Sequence, residues 1–248
     1  MMQKISIITV SFNSEKTILK TITSVNRQSY QNIEHIFIDG CSNDDTIDII
    51  KKNMKIKTSI LISEKDKGIY HAMNKGIKLA SGEIIFILNS DDTFYNTKVI
   101  EKTVNIFKKD NKLDLIYGNL IYTKNGKIIR RWNVGTYLKE SFLKGWCPAH
   151  PSFIVKKKIY EKNGLFNLKY KYAADIEIMY RFLEKLECKY YYINEVLINM
   201  KVGGKSNNNF INIIKQNIEN IKILRKKKNF SYLKFIYFKF KHRYKQFI

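Results

Sequence analysis

The sequence predicts an α/β fold, a mostly parallel sheet flanked by helices, and three observations predict it. Four short runs near the start, Ile5–Val10, His35–Ile38, Ser59–Ile62 and Ile84–Leu88, are nearly continuous in apolar residues, as strands covered on both faces are. The stretches between them carry apolar residues at helical spacing, and strand alternating with helix marks parallel βαβ units. The runs also end in polar groups: Asn13, then Asp39, then Glu64 and Asp66, then Asp91 and Asp92. Ligands of such sheets sit at the carboxyl ends of the strands.

In chain order, Ile18, Ile22 and Val25 set the first helix, with Asn13 or Ser14 placed to cap its start. Asp44–Lys51 repeats the pattern, with acids in the first turn and a lysine in the last, matching the helix dipole. A third helix begins near Gly68 and is expected to close at Gly82. The second half is less regular. Residues 113–122 and 126–132 read as a strand pair, a hairpin through Lys124-Asn125-Gly126. Residues 173–186 read as a helix, and 189–202 as an extended segment. From about residue 207 the pattern is helical and basic, and there is no internal repeat.

The chain has 248 residues, enough for one large domain or a domain with an appendage. An apolar share of 44% argues for a packed core, and two prolines leave little room for a flexible linker. Cys41, Cys147 and Cys188 form no CxxC pair, which removes a disulfide framework and a zinc spacing and fits a reducing compartment. The start reads as a strand rather than a signal peptide, and no stretch reaches the ~18 uncharged apolar residues of a membrane span. A cytoplasmic protein, peripheral at most, is expected.

Two phosphate motifs are rejected. No GxGxxG follows a strand, so a dinucleotide site lacks its main sign. Gly203-Gly204-Lys205-Ser206 imitates the end of a P-loop, but Asn199 stands where its first glycine belongs. The carboxylates say more. Asp39, followed by Gly40, either caps the next turn or meets a ligand; Asp91 and Asp92 either cap a helix near Thr97 or hold a cation. Adjacent acids repel, and Mg²⁺ or Mn²⁺ would remove that repulsion while neutralising a diphosphate.

The segments "ISIITVSFN", "IDGCSNDDT", "SEKDKGIYHAMNKGIKLASGEIIFILNSDD" and "HPSFIVKKKIYEKNGLFNLKYKYAADIEIMYRF" resemble a bacterial glycosyltransferase of family 2 over roughly residues 3–205. The resemblance implies the GT-A fold and inverting transfer of a sugar from a nucleotide sugar. Residues 1–206 would form that domain, with 1–95 as its nucleotide half and 96–206 as its acceptor half. Thr9, Val10, Ser11 and Asn13 match the strand end that contacts the nucleotide, and Asp39 the acid that accepts from the base, usually uracil. Asp66, Lys67 and Gly68 match a further donor-site element, in which Lys67 pairs with phosphate or is simply solvated. Asn89-Ser90-Asp91-Asp92 takes the place of the family's DxD element, with Asn89 where the first acid often stands; metal binding then falls to Asp91 and Asp92. His150 matches a histidine near metal and diphosphate, and Asp175 the general base, compatible with its also being a helix N-cap. Trp146 and Glu177 fall on the acceptor side, and the Gly203–Ser206 loop matches one that closes over the donor.

The net charge of +23 asks for an anionic partner. After Glu219 there is no acid, while ten cations and eight aromatics interleave through residues 222–248. Such a stretch suits an anionic membrane surface, which a transferase acting on a lipid-linked saccharide would meet. A solvated helical face is the plainer alternative, and nucleic acid the weakest.

Overall fold

The computed structural model describes residues 3–201, 210–225 and 230–247; the Gly203–Ser206 loop and Lys226–Lys228 lie outside them. Strands β1 (Ile5–Ser11), β2 (Ile33–Asp39), β3 (Ile60–Ser63) and β4 (Ile84–Ile87) stand in the order β3-β2-β1-β4, all parallel. Every residue of β1, β2 and β4 is buried, which is why these runs show no alternation. Helix α1 (Ile18–Asn26) buries Ile18, Thr21, Ile22 and Val25, one stripe at helical spacing. Helices α2 (Thr46–Asn53) and α3 (Ile69–Leu79) complete the first three crossovers.

Two expected helix ends differ. Neither Asn13 nor Ser14 caps α1 with its side chain; the Ser14 carbonyl accepts from the N–H groups of Thr17 and Ile18, both at 2.9 Å. Gly82 does not close α3, which ends at Leu79. A Cβ on Gly82 would lie 2.7 Å from Ser6 Oγ and 2.9 Å from Lys4 O, so the glycine lets β4 begin against β1.

Past β4 the sheet is mixed rather than mostly parallel. It continues β4-β8-β6-β9-β5, where β5 is Asp92–Phe94, β6 Leu115–Lys124, β8 Phe153–Lys156 and β9 Tyr190–Lys201. Strand β8 runs antiparallel to both β4 and β6, and β9 is parallel to β6 but antiparallel to β5. Helix α4 (Val99–Lys109) links β5 to β6, and β7 (Lys127–Trp132) pairs with β6 through the two-residue turn Asn125-Gly126, both residues at positive φ as a tight hairpin requires. Gly118 pairs with Ile193 but Leu120 with Ile198, so β9 carries extra residues there and bends toward β5. Asn119 holds the bend, accepting from the Tyr192 hydroxyl at 2.7 Å and the Val134 N–H at 2.8 Å.

Helix α5 (Lys157–Asn163) follows β8, and α6 (Ala174–Tyr180) runs on into a π-helical stretch, Arg181–Lys185. Helices α7 (Phe210–Leu224) and α8 (Tyr232–Tyr244) form the basic extension. Ile223, Leu224 and Phe235 are buried in the main core, so these helices pack on the body. No helix among the described residues is long and apolar enough to cross a membrane.

Candidate active site

The carboxyl edge of the parallel strands is tied by hydroxyls. Asp39, fully buried at the end of β2, accepts from Ser11 Oγ (2.9 Å), Ser42 Oγ (2.5 Å), Ser42 N (2.8 Å) and Ser63 Oγ (2.9 Å). Those four donors fill a carboxylate's lone-pair sites and offset the cost of burying it. Asp39 thus joins the ends of three strands rather than capping α2. Beside it, Asn13 takes φ +49° and accepts from Asn43 N at 3.0 Å, while Ser14 Oγ meets Ser90 Oγ at 2.9 Å, joining the ends of β1 and β4. Thr9 faces inward to His35 (2.9 Å), which burial holds neutral by pushing its pKa down to about 3. Val10 is buried too. Strand β4 pairs with β1 only as far as Ile8, so the Thr9–Ser11 backbone borders a gap between strand ends.

Asp66, Lys67 and Gly68 lead into α3. Asp66 ion-pairs with Lys75 (2.6 Å) and meets His71 Nδ1 at 3.1 Å, whereas Lys67 and Gly68 are exposed. Gly68 takes φ +114°, a conformation natural only to glycine, and so starts the helix abruptly. Two residues later Tyr70, whose pKa burial and then Asp175 push well above the usual phenol range, donates to Asp175 Oδ1 at 2.9 Å. Phe166 stacks on Tyr70 with ring centroids 5.5 Å apart and meets His150 edge-on at 5.6 Å. The donor-side segment and the expected base therefore touch.

Asp175 is in the first turn of α6, not its cap; the cap position is Ala173. The turn before it is held from outside. Glu219 of α7 accepts from the N–H groups of Lys171 (3.0 Å), Tyr172 (2.9 Å) and Ala173 (2.9 Å), doing for α6 what an N-cap side chain does. Glu177 is not available on the acceptor side: it pairs with Arg181 through both oxygens (3.1 and 3.0 Å), and Arg181 also clamps the Gly164 and Leu165 carbonyls. Trp146 donates to Val134 O at 2.7 Å and sits among Tyr117, Tyr137 and Phe142, half-buried.

Asn89-Ser90-Asp91-Asp92 turns out of β4 into β5. Asp92 is fully buried; its Oδ2 takes the Asn89 amide at 3.0 Å, while Asp92 Oδ1 and Asn89 Oδ1 are buried without a partner. Neither acid caps α4, whose cap position is Lys98. Burial raises the pKa of both acids, and the Asp91 charge adds to the rise at Asp92; Lys201, at the end of β9, works the other way on Asp91. Two orphaned oxygens beside two acids that resist ionising together suit a hard divalent cation. Among the described residues no three His, Cys, Asp or Glu side chains gather as a metal cluster, so Asp91, Asp92 and His150 do not form a ready three-ligand set. His150 lies instead within electrostatic reach of Asp175, and burial keeps it neutral.

Tyr70, Lys201 and Glu219 were invisible as site residues in the sequence. Only Tyr70 carried a signal, by standing within "DKGIYHAMN". Glu219 is 44 positions from Asp175 in number alone, and spacing predicts no contact across such a gap.

Residues 6–168 match Glycosyl transferase family 2. WfaP of Escherichia coli, a UDP-Glc:alpha-D-GlcNAc-diphosphoundecaprenol beta-1,3-glucosyltransferase, is 29% identical over 87% of this chain and 84% of its own. Among solved structures, Staphylococcus aureus TarS with UDP superposes at TM-score 0.64 with 19% identity, over 80% of this chain and 60% of that one. The Pyrobaculum calidifontis mannosyltransferase PcManGT, solved with GDP-Man and Mn²⁺, gives TM-score 0.68 with 14% identity, over 98% of this chain and 70% of that one. The architecture is thus GT-A-like, as the sequence implied.

Proposed function

Because the chain belongs to glycosyl transferase family 2 and is a glycosyltransferase, we propose that it moves a sugar, with inversion, from a UDP-type nucleotide sugar to a lipid-linked or oligosaccharide acceptor. The setting is bacterial surface-polysaccharide assembly of the O-antigen or capsule type. The observation that carries this reading is the Tyr70–Asp175 hydrogen bond, which brings the start of the donor-side helix onto the acid expected to act as base. WfaP, with its UDP-Glc donor and diphosphoundecaprenol-linked acceptor, supports the substrate classes.

In this reading residues 1–95 hold the donor and 96–206 the acceptor. The Thr9–Ser11 backbone and Asn13 border the nucleotide, and a base N–H reaches Asp39 by taking the place of one serine hydroxyl, which rotates to another acceptor. Lys67 and Gly68 lie against the donor diphosphate, and Asp91 with Asp92 and Asn89 behind it would hold Mn²⁺ or Mg²⁺. When bound, such a cation offsets the charge growing on the leaving diphosphate. Asp175 does the proton work. Tyr70 fixes Oδ1, so Oδ2 faces the acceptor hydroxyl and takes its proton. The acceptor oxygen then bonds to the anomeric carbon as the carbon–oxygen bond to diphosphate breaks, from the opposite face. Neutral His150 adds no charge against the incoming hydroxyl. The chain works at the inner face of the plasma membrane, with residues 222–248 toward anionic lipid.

A thermal-shift panel of nucleoside diphosphates with and without Mn²⁺, combined with transfer assays, tests this. UDP should stabilise the protein only with metal, Asp91→Ala should lose that shift, and Asp175→Asn should keep it while transfer falls at least ~100-fold. Full transfer by both variants refutes the mechanism.

A further inference from the structure

The geometry points to the outward face of α8 as a docking surface for an anionic phospholipid bilayer, with the inward face of the same helix forming a wall of the acceptor cleft. This rests on the lipid-linked acceptor reading and gives it an orientation.

The inward face is fixed by three contacts. Phe235 is buried in the core, and Lys239 presses so closely on Gly145 (φ +68°) that a Cβ there would lie 2.8 Å from the Lys239 Cα. Lys239 Nζ donates to Asn217 Oδ1 at 2.6 Å. Beyond the helix, Gln246 O accepts from Arg131 N at 2.9 Å, and its side chain bonds the Arg130 guanidinium. A helix held along its length this way cannot roll, so what it shows outward is a set face.

That face is apolar. Leu233, Tyr237, Phe240 and Tyr244 are 78%, 62%, 69% and 71% exposed, and their i, i+4, i+7, i+11 spacing makes them one stripe. Exposed Lys234, Lys241 and Lys245 line one side of it. Such a stripe belongs in a core; α8 buries a different face and leaves this one out. Rings at headgroup depth and lysines over lipid phosphates are the arrangement of an interfacial helix. The charge decides the occupant. No acid follows Glu219, so a second copy would set cation against cation. A nucleic acid would use the lysines but not a leucine that exposed.

The consequence concerns the acceptor. Lys239 bonds Asn217 on α7, the helix whose Glu219 holds the turn before Asp175, and its amine lies within electrostatic reach of Asp175. Bilayer and base therefore lie on opposite sides of one helix, about 10 Å across. A saccharide tethered to the membrane needs to reach past that single helix to meet Asp175.

The test is flotation of the full chain with vesicles of phosphatidylcholine, with or without phosphatidylglycerol. The parent should float with the anionic vesicles and bind neutral ones at least about tenfold less, and added salt should release it. Leu233→Ser with Phe240→Ser, and separately Lys234→Gln with Lys241→Gln and Lys245→Gln, should each weaken flotation at least about tenfold with unchanged Tm. Asp175→Asn should float like the parent while losing transfer, which keeps failure of the catalytic reading apart from failure of this one. The proposal is overturned if the stripe variant floats normally, if neutral vesicles bind as well, if an RNA oligonucleotide displaces the protein from vesicles, or if sedimentation shows a dimer that the stripe variant abolishes.

Discussion

Glu219→Ala tests whether the basic extension holds Asp175, the proposed base, in place. The substitution strips three backbone N–H groups of their acceptor, at 3.0, 2.9 and 2.9 Å, in the turn that leads into α6. Each such bond is worth about 1 kcal/mol net, somewhat more with a charged acceptor. Lys171 is exposed and Tyr172 half-buried, so water recovers part of the loss, and about 2 kcal/mol should remain. For a chain of this size that lowers Tm by roughly 4–8 °C. The kinetic effect should be larger than the thermal one suggests, because the loosened turn carries Asp175. We expect kcat to drop about tenfold with the donor KM unchanged, as loss of positioning rather than of binding predicts. Glu219→Gln keeps one accepting oxygen and should fall between. Thermal unfolding and steady-state transfer at varied donor provide the readouts. A Glu219→Ala protein with parental Tm and parental kcat, or one that loses donor affinity instead, refutes the reasoning.

Tyr70→Phe removes the hydroxyl on Asp175 Oδ1 and keeps the ring stacked on Phe166; kcat should fall about tenfold with little change in donor KM or Tm, measured by the same assays. Asp92→Asn replaces a buried carboxyl that burial makes hard to ionise and that has only the Asn89 amide for a partner, so the metal-free protein should be at least as stable while the Mn²⁺-induced Tm shift shrinks. The third concerns pH. His35 is neutral when folded, its pKa depressed from 6.5 to about 3 by burial, so the unfolded chain takes up a proton first as pH falls. The stability tied to a neutral His35 is whole above pH 6.5 and is lost progressively toward pH 3, so Tm should decline across that window. His35→Gln should flatten the decline, and an unchanged slope would count against it.

The first half of the fold was legible because its physics is local. Continuous apolar runs reported strands covered on both faces, and Ile18, Ile22 and Val25 reported a one-sided helix. The second half was legible as elements but not as a sheet. Nothing in "FIVK" says that β8 pairs antiparallel with both β4 and β6, because pairing direction depends on partners far away in the chain. Single residues mislead for a related reason. Gly82 read as a helix stop, yet its role is clearance against Ser6 and Lys4. Glu177 read as a free acid near a site, yet Arg181 one turn later holds it. Asp91 and Asp92 were visible as a pair, but the burial that makes Asp92 hard to ionise follows from tertiary packing.

The bend in β9 has a consequence for length. The strand starts just after the π-helical stretch that continues the Asp175 helix and ends at Lys201, within electrostatic reach of Asp91, so it acts as a spacer between the end of the Asp175 helix and the Asp91 turn. One residue inserted or deleted between Ile198 and Lys201 moves that end by about 3.3 Å and flips Lys201 to the other face. The same change at Asn194–Val196 is absorbed where β9 already loops away from β6. Indels in relatives should therefore collect at the bend, which lets the start of β9 vary while the Lys201 end keeps its position relative to Asp91.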